Sequence, residues 1–201
     1  SDSTDWVAYL QFNRTETQAF LEKPTQKVDL IVPRGGERLI AFVKQHATCP
    51  VIISGRGNNF VFVHKDADTN MALDIIINGK SKISACNAVD KVLIDENLPN
   101  RIDFVNELMA KLKALNIEVL KAKDFTSDEI WYEEFLDYKI VLGSISNTQA
   151  AIDFINKYSG GHSATIVTAA EAAADNFMAA VDCGAVYHNA STRFTDGFEF
   201  G

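Results

Sequence analysis

The chain has 201 residues, of which 47% are hydrophobic and 10% aromatic; that suits one large packed domain, or one domain with part of another, and excludes a disordered chain. The net charge is −8 and no basic run exceeds two residues, which excludes capture of nucleic acid by electrostatics. No apolar stretch reaches the roughly 18–20 residues that a membrane-spanning helix needs.

TETQAFLEK (15–23) predicts a short helix that ends before Pro24. VDLIV (28–32) reads as a buried strand, and the turn PRGG (33–36) leads into ERLIAFVKQH (37–46), whose apolar residues 39, 40, 42 and 43 form one helical face. PVIIS (50–54) and NFVFVHK (59–65) read as two more buried strands. SGRGNN between them breaks the pattern, and a domain seam is placed there, dividing 1–54 from 55–201. Asp66 or Asp68 caps a helix over 69–80. KVLI (91–94) is a strand, RIDFVNELMAKLKAL (101–115) a strongly amphipathic helix and IEVL (117–120) the next strand. YKIVLGSI (138–145) is a strand, followed by the helix TQAAIDFINKY (148–158), which stops at Ser159-Gly160-Gly161. ATIVT (164–168), AAEAAADNFMAAV (169–181) and GAVYHN (184–189) give strand, helix, strand. Short buried strands alternating with helices imply an α/β fold with a mainly parallel sheet and flanking helices.

The chain opens SDSTDWVAYL, without a methionine or a signal-like block, and stops at FTDGFEFG; both ends read as cuts in a longer protein. Its three cysteines, Cys49, Cys86 and Cys183, form no CxxC pair, so neither a zinc site nor a disulfide framework is expected and a reduced, cytoplasmic setting fits best. The sequon-like triplets at Asn13 and Asn189 are taken as chance matches.

Gly55-Arg56-Gly57-Asn58-Asn59-Phe60 begins like a nucleotide loop, but the third glycine is missing and a strand, not a helix, follows; a turn between strands is the better reading. Gly161-His162-Ser163-Ala164-Thr165 comes near the nucleophile elbow of serine hydrolases, yet its serine follows a helix and precedes a strand, the reverse of what the elbow needs. His46 beside Cys49, and His64 beside Asp66 and Asp68, fall short of a metal-ligand set. Glu133 and Glu134, adjacent on an extended segment, point to opposite faces, so only one of them can line a site. Cys86 remains the best candidate. It sits at a junction, in NGKSKISACNAVDKVLI (78–94), after a basic polar loop and before an apolar run. A thiol acts as a nucleophile when it is a thiolate, and Lys80 and Lys82 lie close enough in sequence to favour that form. The turn before the strand can also offer the Cys86 N–H to an oxyanion. Cys49 and Cys183 read as packing residues.

Four segments together resemble the glutamate-5-semialdehyde dehydrogenases, or γ-glutamyl phosphate reductases, of the aldehyde dehydrogenase superfamily. VDLIVPRGGERLIAFVKQHATCPVI (28–52) is similar to their strand-PRGG-helix unit, and KDADTNMALDIIINGKSKISACNAVDKVLID (65–95) to their nucleophile segment, with Cys86 in the nucleophile's place. YSGGHSATIVT (158–168) and GAVYHNASTRFTDGFEFG (184–201) resemble their C-terminal signatures, of which NASTRFTDG is the most specific. The resemblance implies reduction of glutamyl 5-phosphate by NADPH to glutamate 5-semialdehyde, with release of phosphate, in proline biosynthesis. It implies a thioester on Cys86, Asn189, Ser191, Thr192 and Arg193 at the substrate's polar end, and Glu134 at the cofactor's nicotinamide ribose. A simple Arg193 pair with Asp196 or Glu199 is the alternative for that guanidinium. Hydrolytic members of the superfamily place a glutamate base near the loop matching 53–59; this chain has no carboxylate there, as suits a thioester that must not meet water.

By the same comparison, residues 1–54 are the tail of the dinucleotide-binding domain and 55–201 most of the catalytic domain. Most of the nucleotide fold, an oxyanion-hole asparagine and an oligomerisation strand would lie outside this sequence, so the isolated chain is expected to be inactive. The full-length protein is expected to be a homo-oligomer, with glutamate 5-kinase as a partner that hands over the unstable acyl phosphate, and with no nucleic-acid or membrane partner. The rivals are another acylating aldehyde dehydrogenase, acting on an acyl-CoA or a different acyl phosphate, and a non-catalytic α/β binding module.

Overall fold

Sequence periodicity becomes architecture most directly in the larger of two units into which the chain divides, Ser1–Ser54 and Gly55–Gly201. The computed structural model describes residues 7–35, 37–52, 57–83, 86–124 and 127–195.

In the first unit, α1 (Arg14–Glu22) starts at Asn13, which forms a reciprocal capping box with Glu16. Helix α2 follows (Glu37–His46). The segments 28–32 and 50–54, expected as buried strands, meet among the described residues only in a single parallel bridge, Ile31 to Val51. Their described side chains are not buried: Leu30, Val32 and Ile52 are 46%, 66% and 57% exposed. An apolar run supplies strand propensity, but a strand needs neighbours and a covering layer to persist, and two lone segments are marginal.

The second unit is a six-stranded parallel sheet in the order β3-β4-β2-β1-β5-β6. Its strands are β1 (Asn59–Val63), β2 (Val89–Asp95), β3 (Glu118–Lys121), β4 (Lys139–Ile145), β5 (Ser163–Val167) and β6 (Ala185–His188). The helices between them are α3 (Thr69–Lys80), α4 (Arg101–Ala114), α5 (Glu129–Tyr132), α6 (Thr148–Tyr158) and α7 (Glu171–Ala180). Asp68, not Asp66, caps α3, accepting from the N–H groups of Asn70 and Met71. The stop after α6 comes at Gly160 and Gly161, both at positive φ, which a side chain would resist.

Alternation along the strands sorts the core into two layers. Val61, Val63, Val92, Ile94, Ile140 and Leu142 face α3 and α4. Phe60, Phe62, Leu93, Val141, Ala164 and Ile166 face α5, α6 and α7. The chain moves one way across the sheet from β1 to β3 with helices on one face, then reverses from β3 to β6 with helices on the other. A constant crossover hand requires that change of face. The short helix α5 and the helical turn Thr192–Thr195 had no periodic signal in the sequence.

Candidate active site

The amino ends of the central strands carry an unusual density of buried polar groups. Asn58, Asn59, Lys80, Asn87, Asp90, Lys91 and Ser163 are all at most 2% exposed. Asn58 Nδ2 donates to the carbonyls of Trp131 and Tyr158 at 2.6 and 2.7 Å, tying the start of β1 to α5 and to the end of α6. Asn59 Nδ2 lies 2.8 Å from three carbonyl oxygens, those of Gly57, Cys86 and Ala88, while its Oδ1 accepts from Ser163 Oγ at 2.5 Å. One amide thereby fixes both loops that enter β1 and β2. Ser163 of the elbow-like motif is thus a buried strap on Asn59, which closes the hydrolase reading for a physical reason: its hydroxyl is already used.

Cys86 stands in the loop that Asn59 holds, and of the three cysteines it is the exposed one; Cys49 and Cys183 are half-buried. Burial pushes the Cys183 thiol up, with Ser159 Oγ at 3.4 Å partly offsetting it. Lys80 does not serve the Cys86 thiolate as expected. It is fully buried and its ammonium is paired with Asp90 at 2.7 Å in the core, whereas Lys82 is exposed.

The far side of the Cys86 loop is held by the segment after β6. Thr192 Oγ1 donates to the Asn87 carbonyl at 2.7 Å, and Asn87 Nδ2 donates to the Arg193 carbonyl at 3.3 Å. Ser191 and Thr192 are buried, and Arg193 is half-buried with its guanidinium 2.8 Å from Ser81 Oγ. Asn189 is placed differently. At φ 54° it turns the chain after β6, its Oδ1 accepts from Thr168 N–H and its Nδ2 donates to the Thr168 carbonyl, both at 2.9 Å. The structure therefore brings Ser191, Thr192 and Arg193 to the Cys86 loop and leaves the Asn189 amide engaged at the opposite strand ends. Asp196 and Glu199, offered above as partners of Arg193, and residues 53–56 of the loop without carboxylates lie outside the described residues.

Glu134 reaches the same loop from another direction. A Cβ placed on Gly57 would strike the Cys86 carbonyl and stand 2.6 Å from Glu134 Oε1, so glycine at 57 is what lets the two loops and the carboxylate converge. Sequence reading missed Gly57 and Asn59 as site residues. It also missed Asp90 and Lys91, though a charged pair at the head of an otherwise apolar strand was the available signal. Burial raises the Asp90 carboxyl against the pull of Lys80, and it pulls Lys91 down to about 8.

No family model matches the chain. It is similar in sequence to γ-glutamyl phosphate reductases. The reductase of Caldicellulosiruptor bescii is 44% identical over 199 residues, covering 92% of this chain and 47% of the relative. That of Shouchella clausii is 36% identical and covers 98% and 49%. The chain spans about half the length of the curated relatives it matches. Among solved structures, the γ-glutamyl phosphate reductase of Thermotoga maritima superposes with a TM-score of 0.85 at 35% identity, covering 94% of this chain and 47% of that one. The NADP-dependent glyceraldehyde-3-phosphate dehydrogenase of Bacillus halodurans C-125, complexed with NADP, superposes at 0.70 with 18% identity over 88% of this chain and 47% of its own. That last likeness shows the fold, which is aldehyde dehydrogenase-like.

Proposed function

We propose that a protein of the reductases' full length carrying this segment reduces L-glutamyl 5-phosphate to L-glutamate 5-semialdehyde through a thioester on Cys86. The observation that carries this reading is that the exposed cysteine sits in a loop pinned on one side by Asn59 and on the other by Thr192 and Arg193. The Cys86 thiolate attacks the acyl carbon; the bond to the phosphate oxygen breaks and phosphate leaves with the electron pair. A reduced nicotinamide supplies the hydride. Once that hydride reaches the thioester carbon, the tetrahedral oxyanion collapses, expels the Cys86 thiolate and releases the aldehyde. Splitting the reduction into two transfers is the gain from covalent catalysis. The Cys86 N–H faces the oxyanion in this scheme; such a donor is worth on the order of 10²–10³ in rate.

The fit of a nicotinamide cofactor rests on Glu134. A half-buried carboxylate beside Gly57 and the Cys86 carbonyl is an acceptor suited to ribose hydroxyls next to the nucleophile. NADPH is the form we assign. Arg193 supplies a guanidinium for the substrate's anionic end, with Asn189, Ser191 and Thr192 setting the path of the chain that leads to it. We assign residues 1–54 to the tail of a dinucleotide-binding domain and 55–201 to the nucleophile-bearing domain; the exposed Leu30, Val32 and Ile52 are the apolar face that a larger sheet would cover.

The test is thiol labelling and turnover in the full-length protein. Cys86 is expected to react with iodoacetamide at neutral pH ahead of Cys49 and Cys183. Glutamate 5-semialdehyde with phosphate and NADP⁺ is expected to generate NADPH, and glutamyl on Cys86 to be trapped by mass spectrometry. Turnover with an acyl-CoA but not with the semialdehyde and phosphate would replace this reading by another acylating dehydrogenase. The isolated 201-residue chain is expected to show none.

A further inference from the structure

Two lysines, Lys80 and Lys91, are fully buried around one buried carboxylate, Asp90. Such an arrangement is a poor stability device, because desolvating the ions costs about as much as pairing returns and methionine or leucine would pack as well. Its use lies in what the side chains hold. A one-residue bulge separates the pairings Asn59–Val89 and Phe60–Lys91, so Asp90 is the extra residue. Bulges of this kind re-aim side chains. Here Asp90 turns to Lys80 at the end of α3, while Lys91 lies on the opposite face, 3.8 Å over the ring of Phe135.

From those two faces both reach one short segment. Asp90 Oδ2 accepts from the Phe135 N–H at 2.6 Å, and Lys91 Nζ donates to the Glu133 carbonyl at 2.7 Å. The residue between the two gripped peptides is Glu134, whose carboxylate stands at Gly57 and the Cys86 carbonyl. We propose that Asp90 and Lys91 are positioning residues for Glu134: they clamp its backbone from both faces of the sheet and so fix its carboxylate where it accepts from the ribose hydroxyls of the nicotinamide cofactor. This rests on the cofactor role assigned to Glu134 above. Neither side chain touches the reacting atoms.

The experiment titrates NADPH, by its fluorescence, into the full-length protein without acyl substrate. Glu134→Gln and Lys91→Met are each expected to weaken binding about tenfold, the double variant no more than either alone, and Lys91→Arg to stay within about threefold of the parent. The rate of Cys86 labelling should not change in Lys91→Met, because Asn59 and the 191–193 segment hold that loop independently. If Glu134→Gln weakens binding and Lys91→Met does not, or if the two effects add, the clamp is overturned while the role of Glu134 stands. If Glu134→Gln binds like the parent, both fall. Should Lys91→Met fail to fold, Lys91→Gln, which keeps a shorter donor, is titrated against the same expectations.

Discussion

The two ends of the six-stranded sheet are both polar and both buried, yet they are built for different work. At the carboxyl ends the groups close on one another. Thr168 Oγ1 lies 2.9 Å from His64 Nδ1 and accepts from the Ala170 N–H, and the Thr168 carbonyl accepts from Asn189 and faces His188 Nε2 at 3.0 Å. That network joins the ends of β1, β5 and β6. At the amino ends the groups instead pin backbone loops and leave the Cys86 side chain outward. Open parallel sheets usually bind ligands beyond their carboxyl ends; here the candidate nucleophile is at the other end. Buried polarity alone therefore does not locate a site. What separates the ends is whether the network leaves a reactive group exposed or turns its polar groups on one another.

The largest test of that contrast is Cys86→Ser in the full-length protein. Losing the proposed nucleophile is expected to lower kcat/KM by at least about 10³-fold. Because the residue is exposed, the melting temperature should hardly move. Full activity in a protein carrying serine there would dismiss the amino-end site outright.

Asn59→Leu comes next, because it strikes loop geometry and stability together. It removes a donor shared by three carbonyls and strands Ser163 without its acceptor. A displaced nucleophile loop is expected to cost about 10²-fold in kcat/KM, and the orphaned groups about 1–3 kcal/mol of stability by denaturant unfolding. Activity lost without stability, or the reverse, would show that the amide does only one of these jobs.

How much of this was legible beforehand divides along the same line. Most of the larger unit's strands and helices were readable because most of their apolar residues face one of two covered layers, so the period of the sequence is the period of burial. Among the described residues, the segments expected as strands at 28–32 and 50–54 meet only in one bridge, since their apolar runs carry propensity but have no covering sheet within their unit. Cys86 stood out because a cysteine at a polar junction is unusual. Gly57, Asn59, Asp90 and Lys91 did not, because their roles depend on peptides far away in sequence: Gly57 and Asn59 on the Cys86 loop, Asp90 on Phe135 and Lys91 on Glu133. The bulge that makes Asp90 the extra residue and re-aims its side chain has no mark in a run such as VDKVLI.

The buried lysine at the amino ends predicts an alkaline signature. Burial brings Lys91 down to about 8 from an ordinary 10.5, with Asp90, Glu133 and Glu134 opposing the shift and Lys80 adding to it. Between these values the unfolded chain binds more protons at this position than the folded one, so stability rises as pH goes from about 8 towards 10.5. The gain is at most on the order of 3 kcal/mol. It is read as the difference between parent and Lys91→Met unfolding curves, which cancels other groups such as Cys183. Parallel curves would mean that Lys91 stays charged across the range and titrates alike in the folded and unfolded chains.

The smallest effect belongs to the carboxyl ends, and it runs the other way in pH. Burial lowers His64 below its ordinary 6.5, against the neighbouring Asp66 and Asp95 and with help from Lys65. His162, at the amino end of β5, is lowered by burial as well. As pH falls below about 6.5 the unfolded chain takes up protons that the folded chain refuses. Stability is thus fully present above that pH and declines beneath it, by at most about 1.4 kcal/mol per pH unit for each histidine. His64→Gln keeps a polar group beside Thr168 and should flatten part of the acid slope, leaving the His162 share. In the full-length protein the same variant is expected to leave kcat/KM within about threefold, because the network it touches holds strands rather than the nucleophile loop. A larger loss of activity, with stability intact, would mean that the two ends of the sheet are coupled and that the division drawn between them is wrong.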